Sequence, residues 1–170
     1  DDDGRTWTAS NTIDLGGNGN HDGVSEATAL ELRDGTLLKY IRTNWGRFWR
    51  ALSHDGGRHW HAYGPAPIAC SSAPGFLVRL HSGRVALLWN RPFPEGKRSA
   101  PLRGGDGMWS ATPASVFRHE LSIAFSDDDC ASWSAPAVLA HNPNGEVSYP
   151  YLFEVEPGVF WITATRGGGA

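Results

Sequence analysis

Two arginines, a glutamate and a tyrosine stand near the ends of segments that the sequence predicts as β-strands. Glu26 starts one such segment and Arg42 ends the next, while Arg118 precedes a later strand and Tyr149 starts another. A guanidinium group is a planar fork that holds a carboxylate through two parallel hydrogen bonds. A tyrosine hydroxyl has a pKa of about 10 and needs a neighbouring base, such as a glutamate, to become a nucleophile. Side chains of these types can bind an anion and form a covalent bond to it, provided that the fold brings them together.

A short turn motif, present in three copies, indicates the elements that must position these side chains. Its pattern is Ser-x-Asp-x-Gly-x-x-Trp: complete at 53–60, present at 126–133 with Cys130 in place of the glycine, and present at 1–7 without its leading serine. The aspartate accepts hydrogen bonds from backbone amides, the glycine takes positive φ, and the tryptophan packs back into a sheet. Repeated along a strand-rich chain, such a turn predicts a β-propeller or a solenoid.

The strand signals between the motifs form a repeating order of four, here called A to D within each blade. Short segments bounded by turn residues predict strands at 25–32, 36–43, 47–53, near 60, 76–80, 84–90, 119–126, 133–139, 147–155 and 159–165, with another after Trp7. The prediction is therefore one D strand, two full blades and the A–B half of another. Segment 91–117, between a B and a C strand, has no periodicity and is predicted as a long loop.

Antiparallel strand directions predict which residues can meet. A starts, B ends and C starts share one face of a propeller, here called the top face, while the C–D turns that carry the motif lie on the opposite face. Glu26 and Tyr149 lie at A starts, Arg42 at a B end and Arg118 at a C start, so all four fall on the top face. Asn90 ends the other complete B strand and is predicted as a polar residue of the same pocket.

Other residues keep alternatives open at this face. Arg91, Arg98, Arg103 and Arg166 also lie at or over it, so Arg118 is one of several possible partners for Arg42. Trp45, Trp89 and Trp109 are interpreted mainly as core aromatics, with a place in a pocket wall as the alternative.

The repeated motif resembles the Asp box of sialidases and related proteins, in which each copy sits on a blade of a six-bladed β-propeller. The stretch Ser25-Glu26-Ala27-Thr28, leading on to Tyr40-Ile41-Arg42, resembles the central region of exo-sialidases. Phe117-Arg118-His119 and Val147-Ser148-Tyr149 continue the resemblance toward the end of the chain. It covers essentially the whole chain, and identifies it as an internal fragment from the middle and later blades.

The resemblance implies roles for the matched residues. Tyr149 matches the catalytic nucleophile and Glu26 its base, while Arg42 and Arg118 match arginines that hold the substrate carboxylate. Sialic acid carries this carboxylate on its anomeric carbon, where it would repel an Asp or Glu nucleophile but not a neutral tyrosine. The family's third arginine and its Asp acid/base come from the first blades, which this segment does not contain. The resemblance also implies a secreted or periplasmic location.

The composition excludes several other classes of function. The net charge is −3 and there is no basic run, which argues against nucleic acid as a partner. No segment offers the roughly eighteen apolar residues of a membrane span. Cys70 and Cys130 give neither a disulfide framework nor a metal spacing, and no cofactor is predicted.

Residues 1–170 are therefore predicted to form a single incomplete domain, an all-β partial six-bladed propeller that needs the remainder of its own propeller as a partner. The predicted function is that of an exo-sialidase-like retaining glycoside hydrolase acting on a sialylated glycan or related carbohydrate, with the fragment itself inactive. Two alternatives stay open, namely another propeller glycosidase or lyase, and a non-catalytic carbohydrate-binding or scaffolding propeller.

Overall fold

The computed structural model describes residues 2–17, 21–106 and 109–168. Within these ranges there is no helix, and hence none long and apolar enough to cross a membrane. The strands are β1 Val24–Glu31, β2 Leu37–Thr43, β3 Arg47–Ser53, β4 His61–Ala69, β5 Phe76–Arg79, β6 Val85–Trp89, β7 Leu102–Arg103, β8 Ala114–Ser115, β9 Glu120–Ser126, β10 Ala137–His141, β11 Gly145–Glu156 and β12 Val159–Gly168.

Two four-stranded antiparallel sheets and a two-stranded hairpin form the predicted blades. The first sheet has the order β1-β2-β3-β4, the second β5-β6-β9-β10, and β11 pairs with β12. The A strands lie next to one another, since β1 contacts β5 and β5 contacts β11. The structure is thus the predicted all-β partial propeller, with two complete blades and the A–B half of a third.

Apolar side chains pack between the stacked sheets. One core joins Tyr40 and Phe48 of the first sheet to Leu87 and Trp89 of the second. A second core places Leu88 against Leu152 of β11. All five residues of β6 are buried, so this strand lies at the centre of the array. The blades are therefore held to each other by apolar contact on both faces of the middle sheet.

The Asp boxes have the geometry that their pattern predicts. In the first complete copy the Asp55 carboxylate accepts hydrogen bonds from the His59 amide and the Ser53 hydroxyl, both at 2.9 Å. Asp128 does the same in the second copy, with Ser132 at 2.8 Å. Cys130 takes the left-handed φ of 71° that glycine would adopt at lower cost, so the substitution keeps the turn.

Three features differ from the prediction by more than a few residues. Residues 8–17 form no strand, because a D strand pairs with the C strand before it and the described residues contain none there. β10 begins at Ala137 rather than 133, since Pro136 has no amide to donate to the ladder. The loop 91–117 contains a small hairpin of β7 and β8, whose short strands lack the length to show periodicity.

Candidate functional site

A cavity of about 430 Å³ opens at the top face. Glu26, Arg42, Arg118 and Tyr149 all line it, although they come from β1, β2, the segment before β9, and β11. None of the described Asp-box residues lines it, because Ser53 of the first complete box pairs with Leu37, at the far end of β2 from Arg42. The other lining residues are His21, Asp22, Val24, Ser25, Arg103, Trp109, Val116 and Glu146.

Glu26 is the point at which Arg42 and Tyr149 meet. Arg42 Nη1 donates to both carboxylate oxygens of Glu26, at 3.2 Å to Oε1 and 2.9 Å to Oε2. The Tyr149 hydroxyl donates to Glu26 Oε1 at 3.3 Å. The hairpin of β1 and β2 brings the first two together, since Val24 pairs with Thr43 at the same end of the ladder. Tyr149 arrives from β11, 123 residues further along the chain than Glu26.

The charge state of Glu26 follows from these contacts. Partial burial favours the neutral carboxyl group, but the Glu26 backbone amide and the nearby Arg42 charge outweigh it and hold the pKa of Glu26 below its usual value. Glu26 is therefore ionised at neutral pH. An ionised carboxylate that accepts a hydrogen bond from a tyrosine hydroxyl can also accept its proton.

Arg118 lies near the ring of Tyr149. Its guanidinium carbon is 5.6 Å from the centre of the Tyr149 ring. Arg118 Nη1 donates to Glu146 Oε2 at 3.3 Å and Nη2 donates to the Ser72 carbonyl at 2.8 Å. The cavity therefore combines two fixed guanidinium groups with a hydroxyl that has a base beside it.

Tyr149 has an uncommon backbone conformation. Its φ is 54°, in the left-handed region that a bulky residue enters at a cost of about 1–3 kcal/mol. The following Pro150 favours extended backbone at position 149, so the conformation is set by the surroundings. It coincides with a β-bulge, in which the register of β11 against β12 shifts between Ser148 and Tyr151. The bulge aims the ring of Tyr149 toward Glu26.

Comparison with known proteins identifies the family. The family described as the BNR repeat-like domain matches residues 1–162. The chain belongs to this family.

One relative of this domain is a bacterial sialidase. The sialidase of Micromonospora viridifaciens is 27% identical to this BNR repeat-like domain over 171 residues, which cover 99% of the chain and 23% of that protein. The chain thus spans about a quarter of the length of this relative.

Solved structures show the fold. A protein of unknown function from Dyadobacter fermentans superposes with a TM-score of 0.65 and 18% identity, over 99% of this chain and 40% of the other. The K499G mutant of NanB sialidase from Streptococcus pneumoniae gives a TM-score of 0.57 and 22% identity, over 91% and 21% of the two chains.

Asn90 lies away from the cavity of this BNR repeat-like domain, contrary to the prediction. Its side chain is fully buried, and Nδ2 donates to the carbonyls of Glu120 and Val147, both at 2.8 Å. Asn90 directly follows β6, and its side-chain amide bridges β9 and β11, so it binds backbone rather than ligand. Its contribution is to fix β11 two residues before Tyr149.

The long loop supplies lining residues that the strand pattern alone does not single out. Trp109 and Arg103 of this loop line the cavity, with the Arg103 guanidinium 5.2 Å from the centre of the Trp109 ring. The Asp22 carboxylate anchors the loop by accepting hydrogen bonds from the amides of Ala111 at 2.6 Å and Thr112 at 3.4 Å. In the sequence, the length of segment 91–117 and its predicted position over the top face are the features that indicate a loop able to line the cavity.

Asp22 is not poised to act as an acid. The hydrogen bond from the Ala111 amide is the main cause that lowers the pKa of Asp22. A carboxylate that is ionised and committed to two backbone amides has no proton to give to a leaving group. The third carboxylate of the cavity, Glu146, is paired with Arg118.

Proposed function

We propose that this domain carries the nucleophile half of the active site of an exo-sialidase-like glycoside hydrolase that acts with retention of configuration. The observation that carries the proposal is the hydrogen bond from the Tyr149 hydroxyl to Glu26, with two guanidinium groups beside it. The similarity to a bacterial sialidase supports the substrate class. A terminal sialic acid fits the charges, because its carboxylate is the group that two arginines would hold.

The proposed reaction has two steps, the formation and the hydrolysis of a covalent intermediate. In the first, Glu26 takes the phenolic proton while the Tyr149 oxygen attacks the anomeric carbon, and the bond from that carbon to the leaving oxygen breaks. A general acid outside the described residues protonates the leaving group. In the second step water attacks the anomeric carbon and gives a proton to the conjugate base of that general acid, the bond to Tyr149 breaks, and Glu26 returns its proton to the tyrosine.

Arg42 and Arg118 would act in both steps by holding the substrate carboxylate. Arg42 has a side chain only 7% exposed and Arg118 one 16% exposed, so both are fixed before any ligand binds. Charge-assisted hydrogen bonds of this kind contribute about 1.5–3 kcal/mol each. A carboxylate held between them fixes the anomeric carbon over the Tyr149 oxygen, which reduces the entropy cost of attack.

The decisive experiment replaces the nucleophile in the full-length protein. Tyr149→Phe removes the attacking oxygen and is expected to lower kcat on an aryl sialoside by at least about 10²-fold. Tyr151→Phe is the matched control, because Tyr151 lies two residues further along β11 and packs its ring against Phe76, outside the cavity. A 3-fluorinated sialosyl fluoride, which slows breakdown of a covalent intermediate, should add its mass to the peptide that contains Tyr149.

Two results would refute the proposal. One is full activity of Tyr149→Phe with intact folding. The other is a first-formed product of inverted anomeric configuration by proton NMR, since a covalent tyrosyl intermediate requires retention.

A further inference from the structure

One buried serine contacts Arg42 and Arg118, two of the arginines that line the cavity. The Ser72 hydroxyl accepts a hydrogen bond from Arg42 Nε at 3.2 Å, and its carbonyl accepts one from Arg118 Nη2 at 2.8 Å. The hydroxyl proton is directed to Asn44 Oδ1 at 2.6 Å. Ser72 is 2% exposed and does not itself line the cavity. It therefore stands behind the two guanidinium groups, on the side away from a ligand.

The turn that carries Ser72 is itself fixed to the second blade. The Ser72 amide donates to the Ser115 carbonyl at 2.7 Å, and the preceding Ser71 amide donates to the Asn90 carbonyl at 2.9 Å. The Ser115 hydroxyl continues the chain of contacts to the Pro92 carbonyl at 2.6 Å. These bonds join the connection between the two complete blades to both ends of the loop 91–117. The position of Ser72 is thus set by the backbone of the propeller rather than by the cavity.

We propose that Ser72 is a positioning residue that fixes the separation and orientation of Arg42 and Arg118 for a bound carboxylate. The inference rests on the proposed function, because it assumes that the two guanidinium groups share one anionic group. Within the described part of the chain Arg42 has two partners that orient it, namely Ser72 and Glu26, and the Glu26 side chain is 45% exposed. Without the Ser72 hydroxyl, this half-exposed carboxylate is the one partner left to Arg42 among the residues that the structure describes, and the guanidinium group can rotate away from Arg118.

The two contacts predict different effects for the two arginines. The bond to Arg118 uses a main-chain carbonyl, which every substitution at position 72 retains. The bond to Arg42 uses the hydroxyl, which alanine lacks. Ser72→Ala should therefore disturb Arg42 and leave Arg118 in place. The carboxylate of a ligand should therefore be bound more weakly, while the contacts to the rest of the ligand stay unchanged.

The experiment measures binding of a charged ligand against its neutral ester. Isothermal titration calorimetry of the full-length protein at pH 7 compares N-acetylneuraminic acid with its methyl ester, which lacks the negative charge. Ser72→Ala is expected to bind the acid about 10-fold more weakly than the wild type, which corresponds to the loss of one hydrogen bond to a charged group. Its affinity for the ester should change less than about 2-fold, because the ester makes no ion pair with Arg42.

Ser71→Ala is the matched control. Ser71 is adjacent, fully buried and of the same type, yet its hydroxyl has no hydrogen-bond partner within the described residues. Both variants remove one oxygen from the same turn, so thermal melting should show a similar folded state for each. Ser71→Ala should bind the acid as the wild type does.

The outcomes separate the two proposals. If the wild type prefers the acid to the ester and Ser72→Ala keeps that preference in full, Ser72 does not position Arg42 and the inference is wrong while the proposed function stands. Equal losses for acid and ester, or equal losses in the two serine variants, also overturn it. If the wild type shows no preference for the acid, the carboxylate assignment of the cavity fails and this inference fails with it.

Discussion

Glu26→Gln tests the chemistry of the cavity with the smallest change of shape. Glutamine keeps an acceptor oxygen for the Tyr149 hydroxyl, which lies 3.3 Å from Glu26 Oε1, but it cannot take the proton. General base catalysis contributes about 10²–10⁴-fold. The expected loss of kcat is therefore about 10²–10⁴-fold, equivalent to about 3–5 kcal/mol in the activation free energy. Arg42 keeps a neutral partner, so the protein should remain folded.

The pH dependence of the wild type follows from the same residue. Partial burial opposes ionisation of Glu26, but its own backbone amide and Arg42 lower its pKa below the usual value. A base must be deprotonated to act, so kcat/KM should be constant above the ordinary carboxyl pKa and fall only as the pH drops through the lowered one. In Glu26→Gln this acidic limb should disappear, because the group that titrates is gone.

The assay is kcat/KM on an aryl sialoside between pH 3 and 8, with Glu31→Gln as the control. Glu31 lies at the other end of β1, is exposed and does not line the cavity. An unchanged kcat in Glu26→Gln would show that Glu26 is not the base. If kcat/KM of Glu26→Gln still falls at the same acidic pH as in the wild type, the fall is caused by another group.

Three further predictions concern the turns and the missing acid. Asp55→Ala should lower the melting temperature by removing the acceptor of the His59 amide, and leave affinity for N-acetylneuraminic acid unchanged; a selective loss of affinity would contradict the assignment of the two faces. Hydrogen bonds from the Ser132 side chain and amide lower the pKa of Asp128 to about 2. The ionised Asp128 carboxylate therefore stabilises the fold fully above the ordinary carboxyl pKa of about 4, and this stabilisation is lost as the pH falls toward 2. The melting temperature of Asp128→Asn should lack this part of the pH dependence. Residues 1–170 alone should not turn over an aryl sialoside, since the carboxylates Asp22 and Glu146 are already committed; measurable turnover would place a general acid among these residues.

Local pattern was sufficient to predict much of the cavity. Glu26 and Arg42 belong to one hairpin, whose turn at Asp34-Gly35 fixes the register, so the sequence alone puts them at the same end. Arg118 and Tyr149 join them only because the blades stack with the same strand direction. That stacking was predicted from the repeated Asp box, which marks the opposite end of each blade.

The parts that escaped prediction depend on contacts between distant segments. A serine between two blades gives no periodic signal, and nothing in Cys70-Ser71-Ser72-Ala73 distinguishes Ser72 from Ser71. The structure separates them, since one hydroxyl has two partners and the other has none within the described residues. Trp109 was interpreted mainly as a core aromatic, with the pocket wall as the alternative, and it lines the cavity because its loop is anchored at Asp22.

Buried Asn90 is one of the residues that hold the strained backbone around Tyr149 in place. A bulky residue in the left-handed region relaxes unless its neighbours hold it. Asn90 Nδ2 holds the Val147 carbonyl, and the Val147 amide donates to the Arg118 carbonyl at 2.7 Å. Asn142 Nδ2 holds the Glu146 carbonyl at 3.1 Å. The backbone groups of Glu146 and Val147, at the start of β11, are thus hydrogen-bonded to the second blade. These bonds maintain the bulge that aims Tyr149 at Glu26.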